Sequence, residues 1–211
     1  FIVNFNDTSF TAALSSSKTL TNVNVISRYN SESFEVGGLP ETCDVTITGD
    51  AASVNNAATK TGSCVLKLEG YTEGTYTVEL TTTGYGDSVN TVIKPSQVTV
   101  TLKPKTTAQF DLSYDFINQN QLDSKYILGT PVFASGNNKV NIRASQDTLN
   151  SIALVKALIN VAGQTSDFEV DAPLVAYDAN GKVVNADIVP NTVTVKVGIS
   201  SPSKTVPIKL N

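Results

Sequence analysis

The chain has 211 residues, 40% of them hydrophobic and only 16% charged, with a formal net charge of −4 and no histidine, methionine or tryptophan. That length holds one large domain or two of about 100 residues each, and the abundance of Thr, Val, Ser and Asn favours sheet and turns over helical bundles. Without histidine the commonest acid–base catalyst is missing, without a clustered basic face a nucleic-acid partner is not expected, and no run approaches the roughly 18 apolar residues of a membrane helix.

The chain opens on FIVNF, with no initiator methionine and no secretory leader, and reads as a fragment of a longer protein. Residues 1–18 read as a lead-in arm, and structural signal is weak over 6–20, where SSSKT is polar. The triplet Asn6-Asp7-Thr8 is a glycosylation sequon of a kind that chance supplies often. Alternation of apolar and polar residues then predicts strands at Val23–Val25, Val45–Ile47, Cys64–Leu68, Tyr76–Leu80 and Val98–Leu102. Between the second and third, DAASVNNAA (50–58) predicts one or two helical turns with Asp50 as N-cap. GYGDSVN (84–90) reads as a hairpin loop. Pro40, Pro95 and Pro190 stand just ahead of strands, where a missing N–H costs little.

From residue 105 the same order recurs. PSQVTVTLKP (95–104) returns as PNTVTVKVGI (190–199), DVTITGDAASV (44–54) as KVNIRASQDTL (139–149), CVLKLEG (64–70) as ALINVAG (157–163), and YTVEL (76–80) as FEVDA (168–172). The spacing between partners drifts by a few residues, as loop insertions produce. Within this second copy, residues 113–124 read as a loop and SQDTLNSIALVKA (145–157) as one or two helical turns capped by Ser145. Asn180-Gly181 predicts a hairpin turn with both central residues at positive φ. Three similar starts, KTLTNVNV (18–25), KTTAQFDL (105–112) and KTVPIKL (204–210), accompany only two complete copies. The expected organisation is therefore repeat 1 over 19–104, repeat 2 over 105–203, and the beginning of a truncated further repeat over 204–211, cut from a longer tandem array.

Cys43 alternates in phase with Val45 and Ile47, and Cys64 with Leu66 and Leu68, so both thiols are expected to face inward. Their spacing fits no zinc pattern. Two outcomes stay open: a Cys43–Cys64 disulfide in an oxidising compartment, or two reduced thiols filling the core. The second copy has Asn138 and Ala157 at the corresponding places.

No catalytic residue, cofactor site or metal site is expected. The acids are scattered as Glu32 and Glu35, Glu69 and Glu73, and Asp167, Glu169 and Asp171. Only the last three have strand spacing that puts them on one face, and the polar face of a half-buried strand explains them more simply than a carboxylate pair of a hydrolase. DANG (178–181) lacks the further ligands of a calcium loop. No Gly-x-Ser-x-Gly or phosphate-binding glycine loop occurs.

The segment INVAGQTSDFEVDAPLVAYDANGKVVNADIVPNTVTVKVGISSPSKTVPIKL (159–210) resembles the core of a YbbR-like repeat, and SFEVGGLPETCDVTITGD (33–50) resembles the opening of one. The departures lie at turns: Gly136 replaces the opening proline of the second copy, Ala144 replaces the glycine after its strand, and GYGDSVN replaces the usual hairpin of the first. The resemblance implies an all-β chain with short helical turns, built as two tandem twisted β-domains with swapped hairpins and similar to the C-terminal domain of one large-subunit ribosomal protein family. It also implies a place outside the cytoplasm of a Gram-positive bacterium, with the membrane reached only through a segment outside this chain. The implied function is a non-catalytic part of a regulator of the membrane diadenylate cyclase that makes cyclic di-AMP. The cyclase is then the partner, with a cell-wall component as a further one. The alternative function is a structural or adhesive cell-surface stalk.

Overall fold

A computed structural model describes residues 15–134, 136 and 138–202. The glycosylation triplet, the first part of the lead-in arm and the truncated further repeat at 204–211 lie outside the described residues. The chain divides into two compact units, with the division between Lys103 and Pro104.

The first unit is built from β1 (Ser15–Arg28), β2 (Phe34–Gly37), β3 (Thr42–Asp50), helix α1 (Ala51–Ala58), β4 (Ser63–Lys67), β5 (Gly74–Glu79), β6 (Thr81–Thr83), β7 (Asn90–Lys94) and the first part of β8 (Gln97–Ile117). Five strands form a curled sheet in the order β6-β4-β1-β3-β7, while β5 and β2 pair with β8. β1 runs antiparallel to β3 and parallel to β4. Its ladder with β3 is interrupted between Leu20 and Val23, where Asn22 takes φ 56°. That bulge uses one of the few residue types that tolerate a left-handed backbone. Ser15 to Lys18, read from sequence as the end of an arm, pair with Asp50 to Ile47. Their polar side chains carry no alternation to reveal it; the ladder is supplied by the partner strand.

Period-2 alternation delivers Val45 and Ile47 from β3, Leu66 from β4, and Val100 and Leu102 from β8 into one core. α1 closes one end of it: the Asp50 carboxylate accepts from Ser53 N at 3.0 Å, and Val54 and Ala57 face inward. Tyr85, in the loop between β6 and β7, is only 4% exposed. The hydroxyls of Thr82 and Thr91 meet at 2.7 Å and link β6 to β7, the two outer strands of the curl.

The second unit repeats this wiring. From Lys105 onward β8 plays the part of β1, running antiparallel to β11 (Lys139–Ser145) and parallel to β12 (Ile152–Asn160). Before β11 come the short strands β9 (Ile127–Leu128) and β10 (Val132–Phe133). Helix α2 (Gln146–Ser151) follows β11 as α1 follows β3, with the 2%-exposed Ser145 as its cap. β13 (Phe168–Asp178) does the work of β5 and β6 in one strand; β14 (Val183–Val184), β15 (Asp187–Val189), β16 (Thr192–Val197) and β17 (Ile199–Ser200) complete the unit. The opening prolines of the matched segments are both preceded by cis peptide bonds, Lys94–Pro95 and Val189–Pro190. Ile142, Ile159, Val161 and Val195 form the core. Pro104 falls between the last β8 residue paired with β5 and the first paired with β11, so neither ladder needs its missing N–H.

Two sequence expectations are corrected here. Residues 113–117, read as loop, are strand: Tyr114 and Phe116 pair with Ala157 and Ile159 of the buried strand β12. The turn at Asn180-Gly181 has positive φ only at Gly181, where φ is 80°. Gly181 N donates to Asp178 O at 3.0 Å, and the Asp178 carboxylate accepts from the N–H groups of Asn180 and Lys182, each at 2.9 Å. An aspartate that bonds its own turn favours a type I turn closed by glycine over the mirror-image two-residue turn.

Candidate functional site

The structure brings Asp167, Glu169 and Asp171 to the exposed face of β13 and the residue before it. They do not form a pair. Asp167 accepts from Ile199 N at 2.7 Å, Asp171 accepts from the Thr194 hydroxyl at 2.7 Å, and Glu169 lies 3.8 Å from Lys196. Each carboxylate thus serves its neighbour strand separately. An exposed pair such as Glu169–Lys196 contributes only about 0–1 kcal/mol. A shallow depression of about 410 Å³ lies alongside, walled by Thr130, Val132, Glu169, Lys196 and Gly198. Among the described residues, no three His, Cys, Asp or Glu side chains converge as a metal site would require. Glu69 and Glu73 are exposed in the loop between β4 and β5, and Glu35 lies in β2.

Cys43 and Cys64 lie on β3 and β4, the two neighbours of β1, beside Val23 and Val25 respectively. The structure joins them, with Cα atoms 7.0 Å apart. They are 3% and 0% exposed. In the second unit the corresponding place on β12 is filled by buried Ala157, and the Asn138 carbonyl accepts from Leu112 N at 2.6 Å.

Two arrangements escape sequence reasoning. The first is a clamp on the chain leaving the second unit: Gly129 N donates to Gly198 O at 2.8 Å, β17 pairs with β9, and Asp167 holds Ile199. Two-residue strands carry too few side chains to show a period. The second is an outward row across β12, β13 and β14, where Leu154 pairs with Tyr177 and Tyr177 with Val183. Lys156 lies 5.9 Å over the Tyr177 ring and 2.9 Å from Asp115. A register shift between Ile152 and Leu154 turns Leu154 outward, and alternation alone cannot place a shift of that kind.

Two β-units of one wiring, with helices α1 and α2 after the matched strands β3 and β11 and cis X–Pro bonds before β8 and β16, decide the relationship. The YbbR-like protein family matches residues 22–102 and again residues 111–197. The chain belongs to the YbbR-like family. It is similar to the CdaA regulatory protein CdaR of Bacillus subtilis (strain 168), with 31% identity over 202 residues, 95% of this chain and 41% of that protein. The chain therefore spans about two fifths of that relative's length. Among solved structures it is similar to a YbbR-like protein from Streptococcus pneumoniae TIGR4, with TM-score 0.64 and 25% identity over 90% of this chain and 97% of that one. A YbbR-like domain from Listeria monocytogenes is 27% identical, covering 43% of this chain and 96% of its own, with TM-score 0.41. Gly49 and Ala144, expected at turns, both lie within strands: Gly49 is the penultimate residue of β3, with φ 154°, and Ala144 is buried in β11.

Proposed function

We propose that this YbbR-like chain is the non-catalytic, extracytoplasmic part of a membrane-anchored protein that regulates a membrane diadenylate cyclase. The observation that carries the reading is alignment of 95% of the chain, both copies included, with a CdaA regulatory protein. The carboxylates support it as well. Those with strand spacing are spent on inter-strand contacts and are exposed, not set in an apolar site as acid–base chemistry at neutral pH would need. The repeats then act by contact, and regulation requires two states of the assembly that the contacts favour differently.

The test is cyclic di-AMP in cells that express the cyclase with the full-length protein, compared with the cyclase alone and with a form lacking residues 19–210. A reproducible change that disappears with the deletion is expected. An unchanged level, with both proteins present in the membrane, refutes the regulatory reading and leaves a structural surface module.

A further inference from the structure

We propose that the Cys43–Cys64 bridge is a permanent staple of the first unit, closed while that unit is still open and sealed from reductants once it has folded. The inference is independent of the regulatory reading.

Position is the first argument. The bridge ties β3 to β4 across β1, which lies between them. In a flat sheet the two neighbours of a strand stand about 9.5 Å apart. Here the bridged Cα atoms are 7.0 Å apart. The bridge therefore sits on the concave side of a curl and holds that curl closed. Burial is the second argument. Both residues belong to the core cluster of the first unit, together with Val23, Val45 and Leu66. Thiol–disulfide exchange needs a thiolate to reach a sulfur, so access decides its rate. No external thiolate reaches these sulfurs without opening the unit. The third argument is the internal control. The second unit achieves the same wiring with Ala157 and no bridge, so the staple is an addition to one copy and not a requirement of the fold.

Closure proceeds by exchange with a disulfide donor, such as an oxidised dithiol oxidoreductase or oxidised glutathione. One cysteine thiolate attacks the donor disulfide and displaces a donor thiolate. The second cysteine thiolate attacks the resulting mixed disulfide, forms the Cys43–Cys64 bond and displaces the remaining donor thiolate. The chain loses two protons and two electrons, and the donor leaves as two thiols. Because each attack needs an exposed sulfur, closure precedes the final packing of β1, β3 and β4.

The experiment uses the 211-residue chain with dithiothreitol as reductant. Intact mass without reduction comes first, and alkylation of both cysteines in untreated protein overturns the proposal at once. Reduction is then timed by alkylation and mass, in native buffer and in unfolding urea at equal reductant. Reduction is expected to be roughly a thousandfold slower in native buffer, the protection that follows when the sulfurs are reached only by opening most of a stable unit. Hydrogen exchange after reduction should rise in β1, β3 and β4 and stay low in β11 and β12. Protection of less than about a hundredfold, with amides of β3 and β4 still protected, means the bridge is reached by local opening and can act as a switch, which overturns the proposal.

Discussion

The packing of Tyr85 on Gly62 makes the sharpest prediction about the first unit. A methyl group on Gly62 would overlap the Tyr85 ring carbons. The neighbouring Gly84, at φ 94°, also packs close to this segment, with Thr61 O and Gly62 Cα at 2.8 and 3.0 Å from where a Cβ would be. Gly62→Ala must therefore expel the ring or move the loop. Overpacking of this kind costs about 1–3 kcal/mol, and loss of a buried aromatic about 3–5 kcal/mol, so a cost of about 3 kcal/mol is expected. In a Tyr85→Ala background the obstacle is gone. Gly62 does not occupy the left-handed region, so alanine there should be neutral or stabilising by about 0.4–1 kcal/mol through the unfolded chain. The four proteins of the cycle should thus show a coupling of about 3 kcal/mol, with the effect of Gly62→Ala changing sign. Native-state hydrogen exchange at Leu66 and Leu68, both buried in this unit, reports its stability without interference from the second. Equal destabilisation in both backgrounds, within about 0.5 kcal/mol, would refute the reasoning.

Two further outcomes follow from side chains already placed. Asp50 titrates below its usual value because Ser53 donates to its carboxylate from side chain and backbone. A depressed folded pKa means that its contribution is present above the unfolded value of 3.8 and lost as pH falls through the folded one. Asp50→Ala should lower the stability of the first unit at neutral pH and flatten its acid profile below about pH 4, measured by circular dichroism against pH. Ile159, fully buried in the second unit, should cost about 2–5 kcal/mol on truncation to alanine, whereas Glu169→Gln should cost under about 1 kcal/mol. Thermal melts that rank the two alike would contradict the burial assigned to β12 and β13.

Strands were legible wherever one face is buried. Val45, Ile47, Val98, Val100 and Leu102 alternate because the core takes every second residue, and the same logic placed both cysteines inward. The helix starts were legible because Asp50 and Ser145 are good caps. What stayed hidden depends on partners distant in sequence. Ser15 to Lys18 are strand only because β3 lies beside them, and Tyr114 to Ile117 only because β12 does. The turn after Asp178 was misread because the Asn-Gly pair signals one geometry and the preceding carboxylate enforces another. The acids at 167, 169 and 171 were correctly placed on one face, but their partners Ile199, Lys196 and Thr194 follow from register, which alternation does not supply.

A chain that makes the same unit twice must prevent its parts from trading places. β1 and the later part of β8 seek equivalent neighbours, and during synthesis both are available before the second unit is complete. The bulge at Asn22 distinguishes them. β1 fits β3 only with a shift between Leu20 and Val23, while β8 meets β11 from Lys105 to Asp111 with none. The extra residue belongs to β1 itself, so any strand that pairs with β1 must follow its local bend and added twist. The irregularity in the first strand therefore marks it off from its counterpart, as a bend that β3 receives and β11 never meets.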